Sequence, residues 1–186
     1  MTGLVLLWLP ILVSAVIVFV ASSIIHMASP WHKNDYPRLA DEDAFRAAVG
    51  PLNLQPGDYM VPRPRSREEL KDPAFLEKVK QGPNVVMTVM PGGWSMGRNL
   101  SLWFVYIILV NTFAAYVAGR ALAPGADAGK ILQLASTVAF IGYAAALWQM
   151  SIWYRRAWNI TVKATIDGLI YAFITAGVMV WLWPRM

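Results

Sequence analysis

Four long apolar stretches run along this chain, and a polar segment, residues 27–99, separates the first from the other three. The stretches extend from Gly3 to Ile25, Leu100 to Gly119, Ile131 to Tyr154 and Ala164 to Trp183. Each approaches the roughly 20 residues that a helix needs to cross a bilayer's hydrocarbon core. The pattern predicts an all-α membrane protein: an anchor helix over residues 1–26, an extramembrane module over 27–99 and a three-helix bundle over 100–186. The first stretch has no basic residue before it, and its apolar run is long for a secretory signal. It is therefore expected to be a retained anchor.

The polar segment reads as a small mixed α/β module. Asp41-Glu42-Asp43 opens a short helix that Gly50-Pro51 stops. Ser66 with Glu69 has capping-box spacing, and Asp72-Pro73 is an N-cap and first-turn pair for a helix to about Lys80. Asp58–Val61 and Val85–Met90 carry strand-like runs. The second run has no polar side, so it is expected to be covered on both faces, one of them by the membrane surface or a partner chain. Four short elements make a module too small for a large core of its own.

Small residues predict how the spans pack, because helices associate in lipid where backbones can approach closely. The third span carries Ala135, Ala139, Gly142 and Ala146, with Gln149 extending the stripe. The fourth carries Gly168, Ala172 and Ala176, and the second Asn111, Ala115 and Ala118. The first span has no such face, and Pro10 is a candidate kink. That predicts an edge position for it, or docking on another protein.

Composition agrees with a membrane setting: of 186 residues, 57% are hydrophobic and only 15% charged, with mean hydropathy +0.45. The net charge of +5 comes from basic residues scattered at span ends and through the loop, with acids interleaved. Such scatter suits anionic headgroups and topology control rather than nucleic acid. Near the span ends, Lys33, Arg38, Arg98, Arg155, Arg156 and Lys163 outnumber Arg120, Lys130 and Arg185. The charge rule then places the loop in the cytoplasm and both termini outside. Most of the nine tryptophans, Trp94 among them, fall near expected interfaces as belt residues.

Candidate chemistry is sparse. With no cysteine, thiolate metal sites, disulfides and cysteine nucleophiles are excluded. No nucleotide loop or nucleophile–base pair can be read. The only histidines, His26 and His32, flank Pro30 at the end of the first span. They are candidate ligands for haem or a metal, with Met27, and Met60, Met87, Met90 and Met96 as soft donors that would suit copper. Their alternative role is as interfacial histidines bonded to headgroups, water or backbone. Six residues apart on an unbroken helix, the two rings would face different ways.

Asp167 is the sole acid in or near a span, and Lys163, four residues earlier, is its expected partner along the helix. Asn111 and Gln149 are expected to meet inside the bundle as interhelical contacts. Three functions stay open: a non-catalytic accessory, assembly or scaffold subunit, joined to other subunits or to copies of itself; a haem- or metal-binding protein using His26 and His32; and a proton or solute pathway lined by Asn111, Gln149 and Asp167.

The segments His26–Tyr36, Pro56–Pro62 and Leu147–Tyr154 resemble those of a family of bacterial inner-membrane proteins of this size with no assigned activity. The resemblance implies a bacterial cytoplasmic-membrane setting and carries over no catalytic residue.

Overall fold

A computed structural model describes residues 1–93 and 95–185; the belt position Trp94 lies outside them. It contains four helical segments long and apolar enough to cross a membrane: Leu4–Ala28, Met96–Ala121, Ala128–Tyr154 and Trp158–Trp181. The chain forms two compact units. The first comprises residues 1–36 and the chain from Ser95 onward, so residues 27–36 fold with the bundle. The second comprises residues 37–93.

In the first unit, a 3-10 turn, Leu4–Leu7, leads into α1, Trp8–Ser23, and α1 ends in a π-type turn, Ile24–Ala28. Pro10 stands in the first turn of α1, directly after the 3-10 turn, where its missing N–H costs little. Helix α1 does not stand at an edge without a packing face. It packs on α4, Met96–Ala121, and α7, Trp158–Trp181, burying Pro10, Ile11, Ser14, Ala15, Val18 and Ser22. Two serines and an alanine supply the close approach that the small-residue stripes supply elsewhere.

The third span is broken. Helix α5, Ala128–Tyr143, stops at Ala144, a 3-10 turn follows, and α6, Trp148–Tyr154, completes the segment. The stripe therefore ends early: Ala135 and Ala139 are fully buried, whereas Ala146 and Gln149 are exposed. Helix α6 is tied to α7 by Ser151 to Thr161 at 2.7 Å and by the Trp148 indole, which donates to Thr165 at 3.0 Å. The bundle core has one cluster around Leu7, Ala118, Ile131 and Met179, and a second around Val18, Ile107, Ala139 and Tyr171. Outward-facing Leu12, Val16, Val20, Phe113 and Phe173 present the apolar surface that hydrocarbon solvates.

Asn111 is buried but does not meet Gln149. It accepts a hydrogen bond from Thr175 of α7 at 2.7 Å, across a bundle in which α4 packs mainly on α1 and α5. Replacing Thr175 with valine keeps the shape and removes the donor. That change is expected to lower stability by about 1 kcal/mol in a detergent unfolding measurement, the usual size of an interhelical hydrogen bond.

In the second unit, α2, Glu42–Val49, is capped by Asp41, which accepts from the Ala44 N–H at 2.8 Å. Helix α3, Pro73–Gln81, is capped by Asp72 and closed at Gly82, whose φ of 63° lies in the region that favours glycine. Ser66 and Glu69 do form their reciprocal backbone contacts, to Glu69 and Arg65, but over a single 3-10 turn, Glu69–Lys71. Strands β1, Gly57–Val61, and β2, Val85–Val89, pair antiparallel with Tyr59 opposite Met87. Within the chain β2 is largely exposed, because the described residues place no second layer on the two-stranded ribbon.

Candidate metal centre

The site forms where α1 ends. Ser29 closes the π-type turn, its N–H donating to the Ile24 carbonyl at 3.0 Å and its hydroxyl to the Ile25 carbonyl at 2.8 Å. Pro30 cannot continue the helix, and the chain turns back. The six-residue separation that would splay the histidines on a straight helix is thereby undone. The His26 and His32 rings lie 4.2 Å apart, tilted by 33°.

Helix α7 supplies the third group. It begins at Trp158 rather than near Ala164, which puts Asp167 nine residues in, about 14 Å along the axis at 1.5 Å per residue. Its carboxylate is only 3% exposed and needs partners. These come from the turn after α1 and not from Lys163. The Trp31 indole donates to Asp167 Oδ1 at 3.1 Å, and His32 Nε2 lies 2.8 Å from Oδ2. The expected Lys163–Asp167 pair is replaced by a crossed arrangement, in which Lys163 donates to Asp35 Oδ1 and to the Trp31 carbonyl, each at 2.7 Å. A side chain four residues away on the same helix was the local option. The folded-back segment offers better-placed acceptors.

Asp35 completes the cluster. Its Oδ2 lies 2.7 Å from His32 Nδ1. Burial alone would raise its carboxyl, but the hydrogen bonds and charges of His32 and Lys163 outweigh that and hold it below the ordinary carboxylate range. A depressed carboxyl contributes stability above its unfolded value and loses it only as the pH falls through the lower folded one. The contact with Lys163 therefore persists through neutral and mildly acidic conditions.

His26, His32 and Asp167 each offer one ligand atom, all within 4.8 Å of one another. Two imidazoles and a carboxylate form a borderline-to-hard donor set that suits Zn²⁺, Fe²⁺ or Cu²⁺ better than Cu⁺. The groups behind the ligands match what such ions need. Asp35 fixes His32 through Nδ1, Trp31 fixes Asp167 through Oδ1, and Lys163 fixes Asp35. Bonds of about 2.0–2.1 Å in tetrahedral geometry need ligand atoms about 3.3 Å apart, so the 2.8 Å contact between His32 and Asp167 would open by about half an ångström. Three protein ligands leave a coordination position open.

The other sequence candidates fare differently. Rings stacked at 4.2 Å leave no gap for a porphyrin between them, so the pair cannot ligate a haem from both sides. Met27 and Met96 line a cavity of about 630 Å³ that also reaches His26 and Asp167. Met60 and Met87 belong to β1 and β2 of the second unit. Asn111 and Gln149 do not line the cavity that Asp167 reaches, so the three polar groups expected along a solute pathway are not assembled.

Sequence reasoning missed Asp35 and Trp31, although the His32-x-x-Asp35 spacing was available as a signal. It also missed the aromatic lining of the cavity, which draws on three helices and has no local pattern. Comparison with protein-family models, curated proteins and solved structures found no match to this chain. The functional reading therefore rests on the chemistry of the site.

Proposed function

We propose that this chain is a multi-pass membrane protein that holds one divalent transition-metal ion, zinc being the simplest fit, through His26, His32 and Asp167. One observation carries the reading: ligand atoms from positions 26, 32 and 167 converge within 4.8 Å, with outer partners already holding two of the three in place. A purely structural network would need Asp167 and His32 but would gain little from His26, whose ring is stacked against His32 and exposed. The reading assigns binding and no reaction.

The proposed setting is a bacterial cytoplasmic membrane, with the second unit on the cytoplasmic side by the charge distribution and with lipids as neighbours. Nothing in the geometry favours an accessory, assembly or scaffold role over metal binding. Such a role, in a larger complex or a homo-oligomer, is compatible with a bound ion.

The test is titration of the full-length, chelator-stripped protein in detergent with zinc, read by calorimetry and by elemental analysis after desalting. One ion per chain is expected. Zinc retention equal to that of a His26→Ala/His32→Ala variant would end the proposal.

A further inference from the structure

The cavity that reaches the ion site is polar at one end only. Its volume of about 630 Å³ lies within the range of small-molecule sites. Leu100 and Trp103 of α4, Tyr143 of α5, Tyr171 of α7 and Leu147 from the break in the third span supply its apolar wall. Two other lining residues, His26 and Asp167, are also ligands of the proposed ion. The remaining polar side chains of the lining are already committed. The Trp103 indole donates to Ser22 Oγ, and Ser22 and Ser23 both donate to the Phe19 carbonyl, each at 2.9 Å. The Tyr106 hydroxyl donates to the Gly142 carbonyl, and the Tyr143 and Tyr171 hydroxyls are enclosed by protein.

Behind two of the ligands stand protein groups: Asp35 against His32 Nδ1 and Trp31 against Asp167 Oδ1. Two spaces adjoin the ligands themselves. One is the cavity, through His26 and Asp167, and the other is a recess of about 430 Å³ bounded by His26, His32 and Lys33. The recess, at the polar turn after α1, admits an aqueous ion. The cavity offers hydrocarbon and ring surface to a tail, with the ion's open position as its one place for a polar head. Charge narrows the head. A divalent ion on two neutral imidazoles and one carboxylate keeps a net +1, and Lys163 is paired with Asp35 at 2.7 Å, so those two charges cancel. An unbalanced charge within a membrane-spanning bundle is costly, which favours an anionic oxygen donor over a neutral one.

We propose that the cavity binds an amphiphilic carboxylate of the fatty-acid class, its head on the open position of the ion and its tail among Leu100, Trp103 and Leu147. The inference rests on the metal reading and deepens it, naming the class of ligand that the bound ion takes.

The test uses the full-length protein loaded with Co²⁺ in detergent, because the visible absorption of Co²⁺ changes when a ligand joins its coordination shell. The probes are decanoate, acetate, which has the head without the tail, and decanol, which has the tail without the charge. Decanoate is expected to shift the absorption saturably, one molecule per chain, at concentrations at least about tenfold below acetate, a difference that about two buried methylenes supply. Decanol should leave the spectrum unchanged. Leu100→Trp and, independently, Leu147→Trp add bulk to the cavity from two different elements and leave the three ligands in place. Each should keep one Co²⁺ per chain and lose the preference for decanoate over acetate, which separates the cavity from simple partition of decanoate into detergent. A parent protein that binds no Co²⁺ ends the metal reading and this inference with it. If Co²⁺ binds and decanoate leaves its spectrum unchanged, the inference alone is overturned. Equal affinity for decanoate and acetate overturns it as well, since the open position then faces the aqueous recess, and so does a decanoate preference that survives in both variants.

Discussion

Zinc affinity is expected to fall at least about a hundredfold when His32 is replaced by alanine. His32 is the one residue that touches both the ion position and its outer support: Nε2 faces Asp167 at 2.8 Å and Nδ1 faces Asp35 at 2.7 Å. Removing it deletes a ligand and also frees Asp35 and Asp167 from the group that separates them. Loss of an outer partner alone typically costs ten- to a hundredfold in metal affinity, so loss of a ligand should exceed that range. Asp35→Asn is the matched comparison. The amide oxygen can still accept from Nδ1–H but carries no charge, and a fall of about tenfold is expected. His26→Ala should act as a ligand loss without disturbing the Asp35–His32–Asp167 chain, because His26 makes no hydrogen bond to it. Titration calorimetry of the three variants ranks them. If His26→Ala binds zinc as tightly as the parent, the two-imidazole site is wrong, whatever His32→Ala does.

Such a ranking matters because the site was only partly legible in the sequence. Apolar run lengths are enough to recover four membrane-crossing segments, since length and hydropathy are local properties that lipid reads directly. The caps at Asp41 and Asp72 were equally local. His26, His32 and Asp167 could each be singled out as chemically unusual, but not as one group. Their meeting depends on the chain reversing at Ser29-Pro30 and on the register between that turn and α7, and no residue spacing encodes the register. The Lys163–Asp167 pairing went astray for the same reason: spacing along one helix lists possible partners, while folding decides among local and distant ones. The break at Ala144 had no clear marker either. It falls in an alanine run two residues after Gly142, which reads equally well as part of the small-residue stripe, and a window of mean hydropathy passes straight over it.

That break leads to the largest expected effect on stability. Gly168→Ala should destabilise the protein by about 2–3 kcal/mol, as overpacking in a rigid setting does. A Cβ at Gly168 would stand 2.6 Å from the Ala144 Cβ and 3.3 Å from the Tyr143 Cβ. Those atoms sit on the end of α5 and cannot swing aside as the tip of a long side chain could, so α7 itself must shift. Gly142 is more forgiving, because its nearest neighbour is the Val110 side chain. Gly177, on the same helix, has nothing within 4 Å of its Cβ position. Gly177→Ala should therefore change stability by less than about 1 kcal/mol, and in the favourable direction if helix propensity decides it. Unfolding of both variants in the same detergent gives the comparison. Displacing α7 also carries Asp167, the next residue, away from His32, so zinc affinity should fall in Gly168→Ala and hold in Gly177→Ala. Equal stability and equal affinity in the two variants would mean that the close approach of α7 to the α5 terminus is not what sets the site.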